Sequence, residues 1–300
     1  MDHAKEPSRA ESLTQTAANG DPEVHGAAPD LSHAEERKAA ERTAIPAAVV
    51  LEAVRAEGLY KLHRPALALA WSALAAGLSM GFSLVGQGLF FAFLPATPWR
   101  PLVASLGYSL GFLIVVLGRQ QLFTENTLTA MVPLLAQPSF AMFGKVLRLW
   151  CVVLACNVLG AFLFVRLVMW PGLFSSQITA AFVEIGLAGM HGSFGLVVLR
   201  DIFAGWLIAL MVWLLPAAEA GRVQIIIILT YIVALGQFAH IIAGSIDGLY
   251  LVNIRALSWT SFAGGFFLPT LLGNCIGGVS LVALLNYAQV AAQTQKHTNG

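Results

Sequence analysis

The distribution of apolar residues divides the chain near residue 65. Before this point charged and polar residues alternate with Pro, Gly and Ala, whereas the rest consists of long apolar blocks separated by isolated ions. A helix needs about 20 apolar residues to cross the hydrocarbon core of a bilayer. The charge-free segment Pro65–Leu94 exceeds this length and predicts a first membrane span. Within it, Gly77 and Gly81 have the spacing that favours close contact between helices.

Further apolar blocks predict about five more spans by the same criterion. They are Leu102–Leu117, which continues past a polar interruption to Leu135, then Leu149–Val168, Phe194–Leu215, Val223–Ile246 and Phe262–Tyr287. We therefore predict an all-α membrane protein with six transmembrane helices.

The polar ends of the chain complete the predicted organisation. Residues 1–44 carry few large apolar side chains and are expected to form a disordered tail. Residues 45–64 have the pattern of an amphipathic interfacial helix. The six-helix channel domain is expected over residues 65–288 and a second tail over 289–300. Lys and Arg are more frequent on the side of the two termini, which places both termini and both tails in the cytoplasm.

Composition excludes several other classes of protein. The chain is 57% hydrophobic and 11% charged, compared with about 25% charged residues in an average soluble domain. A net charge of +1 does not favour nucleic-acid binding. The three cysteines lie in apolar runs without metal-ligand spacing, and the spans contain neither an HExxH nor a GxSxG motif. We therefore expect no metal site, no cofactor and no enzymatic activity.

Two polar clusters interrupt the predicted second and fifth spans: GRQQLFTEN over 118–126 and GQFAHIIAGSIDG over 236–248. Broken helices at corresponding places in two halves are typical of a transport site between inverted repeats. A Leu-Gly pair precedes each interruption, and aligning these pairs places Leu122 opposite His240. We therefore predict two inverted three-helix repeats, with the second and fifth helices broken.

His240 is the strongest functional candidate from the residues alone. Irregular backbone at membrane depth is tolerated where it is buried in protein or lines a cavity, and an ionisable side chain there indicates function. Imidazole also changes charge near neutral pH. The alternative is that His240 hydrogen-bonds a neighbouring helix and has a structural role.

Three motifs resemble the formate/nitrite transporter family. They are LFT at Leu122–Thr124, GQFAH ending at His240, and LPTLLGNCIGG over Leu268–Gly278. The similarity covers roughly Pro46 to Tyr287, and the run GRQQLFTENT most resembles the YfdC-like branch of that family. The resemblance names a family and leaves the substrate open.

The resemblance implies an aquaporin-like six-helix protomer in a homopentamer of the bacterial inner membrane, with one pore per protomer. His240 would be the central pore histidine, and Thr124 its hydrogen-bond partner. Leu122 and Phe123 would form an apolar constriction. Asn274 would either line the pore or form hydrogen bonds between helices. The expected substrate is a small monovalent anion or its weak acid, in the class of formate, nitrite and hydrosulfide.

Two mechanisms fit this expectation. An apolar constriction opposes a bare anion because removing a charge from water costs far more than burying a neutral group. The anion either gains a proton near His240 and crosses as the neutral acid, or is attracted by protonated His240 and the half-helix N-termini without taking a proton. Protons are therefore expected partners in the first case.

Charges near the interruptions add further expectations. Arg119 and Glu125 flank the LFT motif, and we expect them to pair with each other, because intramembrane charges usually find partners. Asp247 is expected in the outer vestibule without a substrate role. Gln121 and Ala239 stand where typical family members have Glu. This difference keeps an alternative open, namely a channel for a neutral small solute or a non-conducting membrane scaffold.

Overall fold

The computed structural model describes residues 32, 33, 35 and 45–298, and the predicted tail over 1–44 therefore lies almost entirely outside the described residues. From residue 45 onward the described chain forms helices joined by short connections. These helices are α1 Ala47–His63, α2 Ala66–Phe93, α3 Arg100–Leu117, α4 Phe123–Thr129, α5 Met131–Ala136, α6 Phe140–Val168, α7 Ser176–Gly189, α8 Phe194–Leu214, α9 Arg222–Leu235, α10 Ile241–Asn253, α11 Leu268–Ile276 and α12 Leu285–Thr298.

Helices α11 and α12 belong to one long helical segment. The wider turns of a π-helix form Ser261–Phe267 before α11 and Gly277–Leu284 between α11 and α12. The apolar part of the segment runs over Ser261–Val290. It contains the predicted sixth span, and the helix continues through most of the predicted C-terminal tail.

Five helical segments of the described chain are long and apolar enough to cross a membrane: Ala66–Phe93, Arg100–Leu117, Phe140–Val168, Phe194–Ala217 and Ser261–Val290. Large apolar side chains point outward from these segments. Phe140 is 97% exposed and Trp71 is 66% exposed. A surface this apolar is stable in lipid and would associate in water. The prediction of an all-helical membrane protein is therefore confirmed.

Several boundaries differ from those predicted. The third span begins at Phe140, nine residues before the predicted Leu149. Helix α7 was not predicted, because its 14 residues fall short of a span. The predicted span Val223–Ile246 corresponds to α9 and α10, which have 14 and 13 residues, and α10 ends at Asn253, seven residues after the predicted end.

Small residues allow the central helices to approach closely. A side chain at Gly77 would overlap the Asn157 backbone on α6, and one at Gly81 would overlap the Phe164 ring. The contact predicted from the Gly77–Gly81 spacing is thus confirmed. Gly205 on α8 meets the Asn274 backbone on α11 in the same way. Helices α2 and α8 are therefore each held against a helix that carries a buried asparagine.

Candidate functional site

Two connectors without helical structure approach the centre of the molecule. Connector 1, residues 118–122, joins α3 to α4, and connector 2, residues 236–240, joins α9 to α10. Each begins with a glycine, and the next residue has a positive φ, 50° at Arg119 and 53° at Gln237. A backbone N–H two residues after each glycine then donates to a carbonyl five residues earlier, at 3.0 Å in both connectors. The same backbone turn therefore ends α3 and α9.

Asn157 on α6 holds connector 1 in place. Its Oδ1 accepts a hydrogen bond from the Phe123 N–H at 2.9 Å. Its Nδ2 donates to the carbonyls of Ala73 at 2.7 Å and Gln121 at 2.9 Å. One buried amide thus joins α2 to the helix break, where it satisfies the Gln121 carbonyl and the first N–H of α4, two groups that lack helical partners.

Asn274 holds connector 2 through an equivalent set of contacts. Its Oδ1 accepts from the Ile241 N–H at 2.9 Å, and its Nδ2 donates to the carbonyls of Asp201 and Ala239, both at 2.9 Å. Asn274 is fully buried. Both amide hydrogens of this side chain are therefore used within the protein, which matches the interhelical alternative considered for this residue.

The side chains of His240 and Thr124 meet between the two connectors. His240 Nε2 lies 2.6 Å from Thr124 Oγ1. His240 also caps α10, because its Nδ1 accepts a hydrogen bond from the Ala243 N–H at 3.3 Å. In a neutral imidazole whose Nδ1 accepts, Nε2 carries the hydrogen. We therefore assign the proton to Nε2, which donates to the Thr124 hydroxyl.

Apolar side chains surround this hydrogen bond. The edge of the Phe112 ring faces the imidazole, with 4.9 Å between the ring centroids. Leu122 and Phe123 are buried immediately before Thr124. The Phe123 ring packs edge-on against Trp150 of α6, with centroids 5.8 Å apart. The His240–Thr124 pair therefore lies in a closed, largely apolar contact.

Two cavities approach the connectors from opposite ends of α3. The first, the histidine cavity, has a volume of about 280 Å³ and is lined by Ser105, Tyr108 and His240, among others. The second, the α1-side cavity, has a volume of about 500 Å³ and is lined by the end of α3, connector 1 and α1. His240 lines the first cavity and Gln121 the second, whereas Leu122 lines neither and is fully buried.

Comparisons with known proteins agree with this architecture. A family model described as formate/nitrite transporter matches residues 48–288. The chain belongs to the formate/nitrite transporter family. The resemblance drawn from the LFT, GQFAH and LPTLLGNCIGG motifs is thereby confirmed. Several of the matched proteins are named as channels or transporters.

Three matches illustrate the similarity. The inner membrane protein YfdC of Escherichia coli strain K12 is 43% identical over 244 residues, 81% of this chain and 79% of YfdC. The formate channel BtFdhC of Bacillus thuringiensis is 28% identical over 67% of this chain and 78% of its own length. A pentameric formate channel solved with formate bound has a TM-score of 0.66 at 20% identity, covering 75% of this chain and 98% of that channel. The structural match shows a formate/nitrite transporter fold.

Within this fold, the charges beside connector 1 differ from the expected arrangement. Glu125 Oε2 lies 3.9 Å from Lys61 Nζ on α1, and Lys61 lies 3.0 Å from Glu57. Among residues 45–298, the ion pair of Glu125 is formed with Lys61 and not with Arg119. The expected pairing of Arg119 with Glu125 is therefore not found.

Charged residues of an amphipathic interfacial helix are expected to face water, but Lys61 of α1 is 4% exposed. Two carboxylates compensate its burial. Burial raises the pKa of Glu57, but the attraction of Lys61, Arg119 and Arg222 outweighs this effect and leaves the pKa below its ordinary value. Helix α1 is therefore joined to the α1-side cavity by charge as well as by apolar packing.

Sequence reasoning missed Asn157 and the role of Lys61. A lone asparagine in the apolar run of α6 was a usable signal, because a polar side chain in a membrane helix usually has a partner. The partners of Lys61 gave no such signal. Glu125 is 64 positions away in the sequence, and its place under α1 depends on the path of connector 1.

Proposed function

We propose that this protein conducts a small monovalent anion or its conjugate weak acid, of the formate, nitrite and hydrosulfide class, through a pore centred on His240. The observation that carries the proposal is the 2.6 Å contact between His240 Nε2 and Thr124 Oγ1. It joins the starts of two half-helices in the apolar region between two cavities. This is the place where a permeating solute must lose most of its water.

The matched proteins support the substrate class. BtFdhC is named a formate channel, and the solved relative is a pentameric channel with formate bound. YfdC is named an inner membrane protein. We propose that this chain likewise forms a homopentamer in a bacterial inner membrane, with its termini in the cytoplasm.

We also propose that the channel domain consists of two inverted three-helix repeats. Helices α3 and α4 would be the parts of one broken span, and α9 and α10 the parts of the other. The matched backbone turns of the two connectors and their matched asparagine contacts support this proposal. Two unrelated breaks would have no reason to share the same hydrogen-bond pattern.

The hydrogen bonds of His240 favour permeation as the neutral acid. An imidazolium has two donors and no acceptor. Its protonated Nδ1 would face the Ala243 N–H, which now donates to that nitrogen at 3.3 Å. A permanently charged histidine would therefore lose the cap of α10. We infer that His240 stays neutral at rest and that the solute crosses the Leu122–Phe123 constriction without net charge.

The test compares wild type with His240→Ala in liposomes. Formate, nitrite, hydrosulfide and a neutral solute are each presented across a range from acidic to neutral pH, and swelling and internal pH are followed. Removing the imidazole leaves the Thr124 hydroxyl without its partner, and we expect the protein-dependent flux to fall about tenfold or more. Protein-free liposomes measure the diffusion of the acid through lipid alone.

His191→Ala is the matched control, because His191 lies on an exposed surface between α7 and α8. This variant should keep the flux and pH dependence of wild type. Equal fluxes in wild type and His240→Ala would remove His240 from the mechanism. Permeation of the neutral solute alone would establish the alternative, a neutral-solute channel, which the replacement of Glu by Gln121 and Ala239 keeps open. No protein-dependent flux of any solute would favour a non-conducting scaffold.

A further inference from the structure

The histidine cavity contains a carboxylate without a partner. Asp247 lines this cavity together with His240. It follows His240 by seven residues on α10, so the two side chains share a helix face about 10 Å apart along the axis. Within residues 45–298, no side-chain hydrogen bond or ion pair is formed by Asp247. Asp247 is partly exposed and is one of the residues that a molecule entering the cavity would meet.

The other charged groups around this cavity are neutralised. Glu184 of α7 lies at the rim and pairs with Arg100, at 3.2 Å. The Arg100 guanidinium also stacks on the Phe91 ring, 3.5 Å from its centroid. The remaining titratable lining groups are Tyr108 of α3 and His240. Neither Lys nor Arg is among the lining residues in the described chain, so no lining cation compensates the negative charge of Asp247 when its carboxyl group is ionised.

The α1-side cavity has the opposite balance of charge. Four basic residues line it, against two acidic residues, Glu57 and Glu125. The basic residues are Lys61, Arg64, Arg119 and Arg222. An anion is therefore attracted to one cavity and repelled from the other, although both lead to the same pair of connectors.

We propose that Asp247 makes the histidine cavity a selectivity site, which takes the neutral, hydrogen-bond-donating acid and opposes the bare anion. The inference rests on the proposed function, because it concerns the form in which that substrate crosses the pore. A carboxylate accepts a hydrogen bond from the O–H of a carboxylic acid. The same carboxylate repels a carboxylate anion, and the repulsion is strong where water is scarce. The anion is therefore abundant on the α1 side, and the acid is the form that passes the histidine cavity.

The test uses Asp247→Asn, which removes the charge and keeps the shape of the side chain. Current across planar bilayers in symmetrical formate at neutral pH measures movement of the anion. Internal pH of proteoliposomes measures movement of formic acid. We expect Asp247→Asn to raise the formate current about tenfold and to change the acid flux less than about twofold. Because a passive pore has the same permeability in both directions, the current should rise for either sign of the voltage.

Two further variants separate charge from structure. Asp247→Glu retains the charge and should retain the low current of wild type. Replacing Arg100 and Glu184 together by Gln removes an ion pair without changing the net charge of the rim, and it should leave both measurements unchanged.

An unchanged current in Asp247→Asn, with formic acid still passing, would overturn this inference and leave the proposed function intact. Loss of acid flux without a gain in current would also overturn it, since the residue would then support the fold or the acid path. If neither form of formate passes through wild type or variant, the proposed function fails, and this inference fails with it.

Discussion

Connector 1 and connector 2 leave their helices through the same turn and are held by the same kind of side chain. The positive φ values of Arg119 and Gln237 differ by a few degrees, 50° against 53°. Asn157 and Asn274 each accept one backbone N–H and donate to two carbonyls. At the position just before the following half-helix, however, connector 1 has Leu122 and connector 2 has His240.

This difference separates the support of the pore from its chemistry. The asparagines and the turns fix the backbone path of each connector. The same backbone path is compatible with an apolar side chain, Leu122, or an ionisable one, His240, at the last connector position. Substitutions in the support should therefore have similar effects in the two halves. Substitutions of Leu122 and His240 should not. The following predictions test that separation, beginning with the largest expected effect.

Replacing either clamping asparagine should destabilise the protein strongly. Asn157→Ala and Asn274→Ala each remove three hydrogen bonds to backbone groups, two of which lie at the helix break, and buried groups left unsatisfied cost about 1–3 kcal/mol each. We expect a loss of ~3 kcal/mol or more in the free energy of unfolding for each variant. Thermal unfolding in detergent measures this loss. Asn253→Ala is the control, because Asn253 binds no connector: it donates to the Leu249 carbonyl of its own helix at 2.8 Å and accepts from Arg166 at 3.3 Å. A large loss of stability for one asparagine variant and none for the other would contradict the equivalence of Asn157 and Asn274.

Substitution of the glycines that contact Asn157 and Asn274 should cause a smaller loss of stability, again similar in the two halves. A Cβ at Gly77 or Gly205 would overlap backbone atoms of Asn157 or Asn274, which cannot rotate away. We expect Gly77→Ala and Gly205→Ala each to cost about 1–3 kcal/mol. Gly195→Ala is the matched control on α8, because no atom lies within 4 Å of the added carbon. It should be neutral or stabilising. Loss of stability in Gly195→Ala equal to that in Gly205→Ala would show that the contact with Asn274 is not the cause.

Much of this arrangement was predictable from the sequence, because lipid limits what a chain can do. Charge-free length predicted the long helices, and polar clusters in apolar runs predicted where α3 and α9 end. The family motifs led to the His240–Thr124 hydrogen bond, while the pore role of this pair stays a prediction. Helix α7 was missed because an apolar helix of 14 residues has no distinctive length.

The charge pairing was mispredicted for a different reason. Arg119 was chosen as the partner of Glu125 because the two are close in sequence. The chain turns at Arg119, and Lys61 comes to Glu125 from α1 instead. The sequence around Glu125 does not indicate that α1 packs beside connector 1. Contacts between distant segments, including those of Asn157, therefore had to come from the structure.

The smallest expected effect concerns the two positive-φ residues, Arg119 and Gln237, which test the equivalence of the two connector turns. An L-residue in the left-handed region costs about 1 kcal/mol relative to glycine, so Gln237→Gly should stabilise the protein by up to about that amount. Arg119→Gly should gain the same backbone term, but it also removes a cation that helps to keep the pKa of Glu57 below its ordinary value.

A carboxylate with a depressed pKa contributes stability at neutral pH, and this contribution is lost as pH falls through that pKa. Arg119→Gly should therefore gain less than Gln237→Gly near pH 7, and the gap should close as the pH falls from the ordinary Glu value of about 4 through the depressed pKa of Glu57. Glu57 is partly exposed, so the gap will be small. Melting temperatures of both variants across this range measure it. The background in which the gap should be absent is Glu57→Gln combined with Glu125→Gln, because Arg119 acts on both carboxylates. A gap that persists in that background would mean that Arg119 stabilises connector 1 through contacts other than its charge.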